Sequence, residues 1–157
     1  MIKTYEAKYK QEIVDLVLYV QNSEFHLNIG IEEQSDILDI PTYYLADGGN
    51  FWVALNEAGN VIGTIGLQQL TEELYILKKF FIYSDYRGKA FSLELFNELI
   101  IYAKKQGIKT VILDTPSIAT RSHRFYEKNG FKGISKQDLP VHYDYPDRDS
   151  LLYRLNL

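Results

Sequence analysis

One segment combines residue types that could hold an anion: Tyr83-Ser84-Asp85-Tyr86-Arg87-Gly88-Lys89-Ala90-Phe91-Ser92. It lies between a strand-like run, Leu74 to Ile82, and a helical pattern that starts near residue 91. The first turn of a helix leaves N–H groups unpaired and carries the positive end of the helix dipole. Such a junction suits an anion such as pyrophosphate. Arg87 and Lys89 add charge, and small residues let a ligand approach the backbone. Alone, the short spacing Arg-x-x-Ala reads better as a solvated Arg-Gly-Lys turn at the head of a helix.

The charge pattern singles out the same region. The chain has 157 residues, 17 basic and 21 acidic, for a net charge of -4. That balance disfavours a nucleic-acid partner. It is uneven: residues 1–77 hold three bases against twelve acids, and residues 78–132 hold eleven bases against five acids. A basic middle in an acidic chain points to a localised anion site. There is no cysteine, which excludes disulfides, thiolate metal sites and a protein thiol nucleophile. His26, His123 and His142 show no ligand spacing, so no metal is expected.

Other elements must position this loop. Hydrophobic residues make up 46% of the chain, enough to bury a core. Ile2 to Glu6 reads as a strand. Ile13, Leu16, Val17 and Val20 recur at helical spacing, giving a helix over roughly 9–22. Glu32 to Leu38 suggests a short helix that Pro41 would stop. Residues 51–55 and 61–67 flank a Gly/Asn turn and read as a hairpin, extended by the run 74–82 into an antiparallel meander. Gly63 and Gly66 suggest a bulge or close backbone approach.

Leu95, Phe96, Leu99, Ile100 and Ala103 form one face of a helix over 91–106, with Gly107 beyond its end. Residues 110–113 form a strand, 118–128 a second helix, and 131–135 and 151–155 two last strands. Strands 74–82 and 110–114 bracket a helix, which makes them parallel neighbours. The expected architecture is one α+β domain over residues 1–157 (α/β with a mixed, mostly antiparallel sheet flanked by helices). No secretory leader or membrane-length apolar run is read, so a cytoplasmic protein with no membrane partner is expected.

This element order, the Leu77-Lys78-Lys79-Phe80-Phe81-Ile82 strand, Tyr86-Arg87-Gly88-Lys89-Ala90 and Phe125-Tyr126-Glu127-Lys128-Asn129-Gly130-Phe131 together resemble the GCN5-related N-acetyltransferase (GNAT) superfamily. The resemblance covers residues 50–135 best. It implies a GNAT-like fold that binds acetyl-CoA as acyl donor in a split between the fourth and fifth strands. Phe81 and Ile82 would pair with the pantetheine arm. The amides of Gly88, Lys89, Ala90, Phe91 and Ser92 would hold the pyrophosphate, with Arg87 opening the motif. Tyr126 falls where family members protonate the departing thiolate. A phenol with a pKa near 10 can donate to a thiolate whose thiol has a pKa near 8.5. Packing of helix onto sheet is the other reading of this ring.

The sequence departs from the family pattern in places. Ala90 and Ser92 replace glycines of the loop. Ala119 replaces an Asn seven residues before the tyrosine, and Ser122 stands where Ala is frequent. Ile76 occupies the position of a frequent general-base Glu. An amine of pKa about 10.4 is mostly protonated at neutral pH, so a base is wanted. Glu72, Glu73, His142 or water are the options the sequence offers.

The acceptor would lie among residues 23–47, the meander and 138–147. There Glu24, Glu32, Glu33, Asp36, Asp39, Tyr43, Tyr44, Asp138, Tyr143, Asp144 and Tyr145 suit a cationic small-molecule or peptide amine. The expected reaction is acetyl transfer to a primary amine by direct attack in a ternary complex. A non-catalytic CoA-binding sensor or partner-binding module is the alternative, consistent with Ile76 and Ala119. Dimers are common in the family, so a homodimer fits the resemblance.

Overall fold

The computed structural model describes residues 1–141, 143 and 149–157. In chain order its strands and α-helices are β1 (Ile2–Thr4), α1 (Lys10–Leu18), β2 (Asn50–Leu55), β3 (Val61–Gln69), β4 (Leu74–Ile82), α2 (Phe91–Lys105), β5 (Thr110–Thr115), α3 (Thr120–Lys128), β6 (Lys132–Ile134) and β7 (Leu151–Asn156). This is the order read from the sequence. The strands form one seven-stranded sheet in the order β1-β2-β3-β4-β5-β7-β6. All neighbours are antiparallel except β4 and β5, which are parallel.

That parallel pair is short. Leu74–Ile76 pair with Thr110–Ile112, and the ladder stops there. β4 runs on to Ile82, while β5 stays paired to β7 through Thr115. The sheet is therefore split open between its fourth and fifth strands beyond Ile76.

Helical periodicity decides which faces are buried. Ile13, Leu16, Val17 and Val20 all point into one cluster with Ile37, Ile40, Tyr44, Phe51 and Val53. Leu95, Phe96, Leu99 and Ala103 of α2 pack on the other face, against Trp52, Ile65, Leu67 and Leu77. Each fully buried Leu, Ile or Phe contributes roughly 1.5–3 kcal/mol, so both faces of the sheet are firmly covered. Lys104 and Lys105 sit in the last turn of α2, where cations complement the dipole, and Gly107 follows at φ +74.

Two elements differ from the sequence reading. α1 ends at Leu18, and Tyr19–Glu24 continue as a wider π-helical stretch rather than as the same helix to 22. Gln21, four residues after Val17, lies on the inward face and is buried. Pro41 does not stop a helix: it opens the next helical turn, Pro41–Leu45, at a first-turn position where its missing N–H costs nothing. The expected short helix before it is a 3₁₀ stretch, Ile31–Leu38, interrupted at Gln34.

Gly66 and the β3–β4 ladder bear out the irregularity expected in β3. A Cβ on Gly66 would meet the rings of Phe51 and Tyr44 at 2.9 Å. The register shifts between Thr64 and Gly66, leaving Lys79 and Phe80 in a bulge. Side-chain parity then flips along β4. Tyr75 and Leu77 join the α2 cluster before the bulge, but Phe80 and Ile82 join it afterwards. Lys78 and Lys79 are consequently consecutive residues on the same, opposite face. Among the described residues, no helix is long and apolar enough to cross a membrane.

Candidate active site

The loop after β4 folds as a 3₁₀ turn, Ser84–Tyr86, followed by Arg87 in extended backbone and Gly88 at φ +77. That left-handed conformation favours glycine. α2 then starts at Phe91, with Ala90 before it and no side chain capping the first turn. The first-turn amides are thus not claimed by a capping side chain.

A cleft of about 230 Å³ opens over this turn. Of the residues expected to bind the cofactor, Phe81, Ile82, Arg87, Gly88 and Ser92 line it, and so does Tyr126. Lys89, Ala90 and Phe91 stand outside its lining. Lys89 Nζ lies 5.5 Å over the Tyr86 ring, and Phe91 packs edge-on against the same ring at 5.9 Å. Ala90 accepts the first intrahelical bond, from Glu94 N at 2.9 Å. These three residues contribute backbone and packing at the head of the helix. Arg87 donates from Nε to the carbonyl of Ile82 at 2.9 Å and pairs through its guanidinium with Glu24.

Sequence reasoning missed a second cation here. The guanidinium of Arg121 stands 3.4 Å from where a Cβ of Gly88 would be, and it lines the cleft. It comes from the first turn of α3, which Ala119 precedes. Nothing local to the loop signals it.

Tyr126 sits at the back of the cleft. Its ring is boxed by Phe80 at 6.2 Å, Phe125 at 6.0 Å, Phe131 at 5.6 Å and Tyr153 at 6.1 Å. Tyr153 in turn donates to Glu127 at 2.8 Å. Tyr126 therefore both packs helix on sheet and faces the cleft. Burial, and secondarily the charge of Asp114, push its pKa upward, so it stays a neutral phenol.

A smaller pocket of about 90 Å³ adjoins the cleft. Phe25, Phe80, Phe81, Ala119, Ser122 and Tyr126 line both. The smaller pocket is also lined by Gln21, Lys78, Lys79, Asp114 and Ser150. Lys79 is buried and adopts φ +55, a conformation that costs a non-glycine residue about 1–3 kcal/mol. Its neighbours fix it there. Its Nζ donates to Gln34 Oε1 at 2.8 Å and lies 3.8 Å from Asp36, while Thr64 Oγ1 donates to its carbonyl at 2.6 Å. Gln34 and Gln21 bond reciprocally, and Tyr44 donates to Asp36. Burial lowers the Lys79 pKa to about 8, with Asp36 opposing the shift.

Asp114 is the other residue the sequence reading passed over. It lies in the open part of the split, two residues past the last β4–β5 pair. Burial pushes its pKa up, opposed first by the bond that Tyr143 donates to Oδ1 at 3.1 Å and then by Lys78 and Lys79. A charge at the end of the apolar run Val111-Ile112-Leu113 was the available signal.

The bases suggested by sequence lie elsewhere or cannot be placed. Glu72 and Glu73 are exposed at the β3–β4 tip, at the closed end of the split. Leu77, the nearest lining residue on β4, is roughly 13 Å of strand away. His142, Asp144 and Tyr145 lie outside the described residues. Ile76 is buried in a cluster with Leu74 and Ile112. The expected acidic frame is largely engaged internally. Glu24 pairs with Arg87, Asp36 with Tyr44 and Lys79, and Asp138 accepts from Ser135. Glu33 and Asp39 accept from backbone N–H groups in their own turns.

Comparison with known proteins follows the same lines. The chain is 41% identical to an acetyltransferase of Streptococcus agalactiae 2603, with a TM-score of 0.94 over 100% of this chain and 98% of that one. It is 35% identical to a GNAT-family acetyltransferase of Staphylococcus aureus MU50, with a TM-score of 0.95 over 99% and 98%. A PaiA N-acetyltransferase of Thermoplasma acidophilum, solved in complex with coenzyme A, shares the fold at 17% identity and a TM-score of 0.75 over 100% and 98%. In sequence, it is 32% identical over 140 residues to a probable N-acetyltransferase, camello, of Xenopus tropicalis. That match spans 86% of this chain but 63% of the relative's length. The family model described as "Acetyltransferase (GNAT) family" matches residues 16–131. The chain belongs to the GNAT acetyltransferase family.

Proposed function

We propose that this protein is an enzyme that moves an acetyl group from acetyl-CoA to a primary amine, by direct attack in a ternary complex. One observation carries this reading: the cleft over the phosphate-type loop and the smaller polar pocket share a wall that includes Tyr126. The donor enters the cleft with its pyrophosphate at the amides of Gly88 to Ser92 and its pantetheine along Phe81 and Ile82. Arg121 adds a cation beside the phosphates. The thioester then lies near the shared wall, and the amine approaches from the smaller pocket. The N-acetyltransferase relatives support an amine acceptor.

The reaction balances simply. The amine nitrogen attacks the thioester carbonyl, a C–N bond forms and the C–S bond breaks. An ammonium acceptor loses two protons overall, of which one ends on the CoA sulfur and one reaches solvent. Tyr126 is held as a phenol, so it supplies a hydrogen bond to the developing thiolate. Full transfer of its own proton is uphill against a thiol of pKa about 8.5.

The test is release of free CoA thiol from acetyl-CoA in the presence of a panel of primary amines. Steady turnover with at least one amine supports the reading. Saturable acetyl-CoA binding with no thiol release across the panel overturns it in favour of a CoA-binding module.

A further inference from the structure

The smaller pocket holds charges of both signs that do not pair with one another. β4 and β5 keep register to Ile76 and Ile112, so Lys78 and Asp114 are the next residues in line on the same face as the strands part. The bulge adds Lys79 to that face. Among the described residues the ion pairs are Lys79–Asp36 and Arg87–Glu24, and Asp114 is in neither. Lys78 donates to Gln68 Oε1 at 3.3 Å and Lys79 to Gln34. An ammonium has three donors, so both retain capacity. Ser150 is 7% exposed and lines the same pocket, and among the described residues its Oγ has no hydrogen-bond partner.

We propose that this pocket takes an α-amino acid as the acetyl acceptor, with its ammonium on Asp114 and its carboxylate on Lys78 and Lys79. The inference rests on the transfer reading above and names the acceptor class for it. A simple alkylammonium would satisfy Asp114 and leave the half-buried Lys78 without an anion, Lys79 being already paired with Asp36. A simple anion would satisfy the lysines and confront Asp114. A small zwitterion satisfies both ends, and unpaired buried charge penalises either alternative. Tyr143 fixes one carboxylate oxygen of Asp114. Asp114 takes the first proton from the ammonium and passes it to solvent. The freed amine attacks, and the second proton leaves as the C–S bond breaks and CoA-SH forms. Ser150 Oγ offers a further hydrogen bond to the bound carboxylate.

The experiment compares each of a panel of α-amino acids with its decarboxylated amine, leucine against 3-methylbutylamine for example. Both kcat/KM and calorimetric binding to the CoA-loaded protein are measured. At least one amino acid should exceed its amine by tenfold or more. Lys78→Met should lower kcat/KM for the amino acid at least fivefold more than for its amine, removing most of that preference, and Lys78→Arg should restore it. Asp114→Asn should lower turnover of both partners at least thirtyfold with acetyl-CoA binding unchanged. Equal or faster turnover of the decarboxylated amines overturns this inference and leaves the transfer reading intact. Lysine-dependent amino-acid binding without CoA release overturns the transfer reading, and with it the role as acceptor, and leaves an amino-acid ligand site. Neither binding nor turnover of any amino acid overturns the inference. A 1-aminoalkylphosphonate that outruns the matching amino acid overturns the choice of carboxylate.

Discussion

The cleft and the pocket beside it are built by different means. The cleft draws most of its lining from two segments of chain, within 80–92 and 118–126, with Val20 and Phe25 added from the stretch after α1. Its chemistry comes from backbone: a left-handed Gly88 and the start of α2. The pocket draws single side chains from distant points, namely Gln21, Lys79, Asp114 and Ser150. A backbone site tolerates side-chain change. A side-chain site is specific and depends on every strand that carries it. In the proposed reaction the donor is common to the family and the acceptor is what the chain must select, and the two constructions would suit those tasks.

Substitutions can break or sharpen that contrast. The largest effect should come where the two sites meet. Tyr126→Phe keeps the aromatic packing and removes the donor to the thiolate. We expect kcat to fall about 100-fold, with KM for acetyl-CoA nearly unchanged, measured by thiol release. Wild-type turnover in this variant would leave Tyr126 as packing alone. Next, Gly88→Val should raise KM for acetyl-CoA about tenfold, since φ +77 strains an L side chain by about 1–2 kcal/mol. Acceptor KM should hardly move. Equal changes in both constants would show that the sites are not built independently.

The third test sits on the pocket side and is read through stability. Lys79 has its pKa lowered to about 8 in the fold, against 10.5 unfolded. Between those values the unfolded chain binds more protons, so stability rises with pH there. Wild type should gain about 1 kcal/mol relative to Lys79→Met between pH 8 and 9, followed by denaturant unfolding. A constant difference across that interval would place the Lys79 ammonium in water. The smallest effect returns to the cleft. Arg121→Ala should raise KM for acetyl-CoA about threefold at low ionic strength, and less at high salt as screening grows. A salt-independent change would mean that Arg121 acts through packing.

The sequence by itself determined whatever depends on neighbours along the chain. The periodicity of Ile13, Leu16, Val17 and Val20 selects the buried face of α1, because residues three and four apart share a helix face. Alternating β runs and a Gly/Asn turn specify the hairpin, and the loop before α2 is legible because its donors are consecutive amides. Tyr126 was found through the family pattern of Phe125 to Phe131, whose spacing is also local.

Tertiary structure alone decided the pocket. Asp114 and Lys78 become neighbours only through a parallel register between strands more than thirty residues apart. Lys79 shares the face of Lys78 only because one bulge reverses side-chain parity, and alternation along β4 predicts the opposite. Gln21 meets Gln34, thirteen residues further along the chain, through a buried side-chain bond that helical spacing alone does not specify. Arg121 meets Gly88 at the cleft although the two are far apart in the chain. These contacts depend on sequence separation too long for any local pattern to encode. The proposed donor site was therefore readable in advance, while the proposed acceptor pocket emerged from the folded sheet.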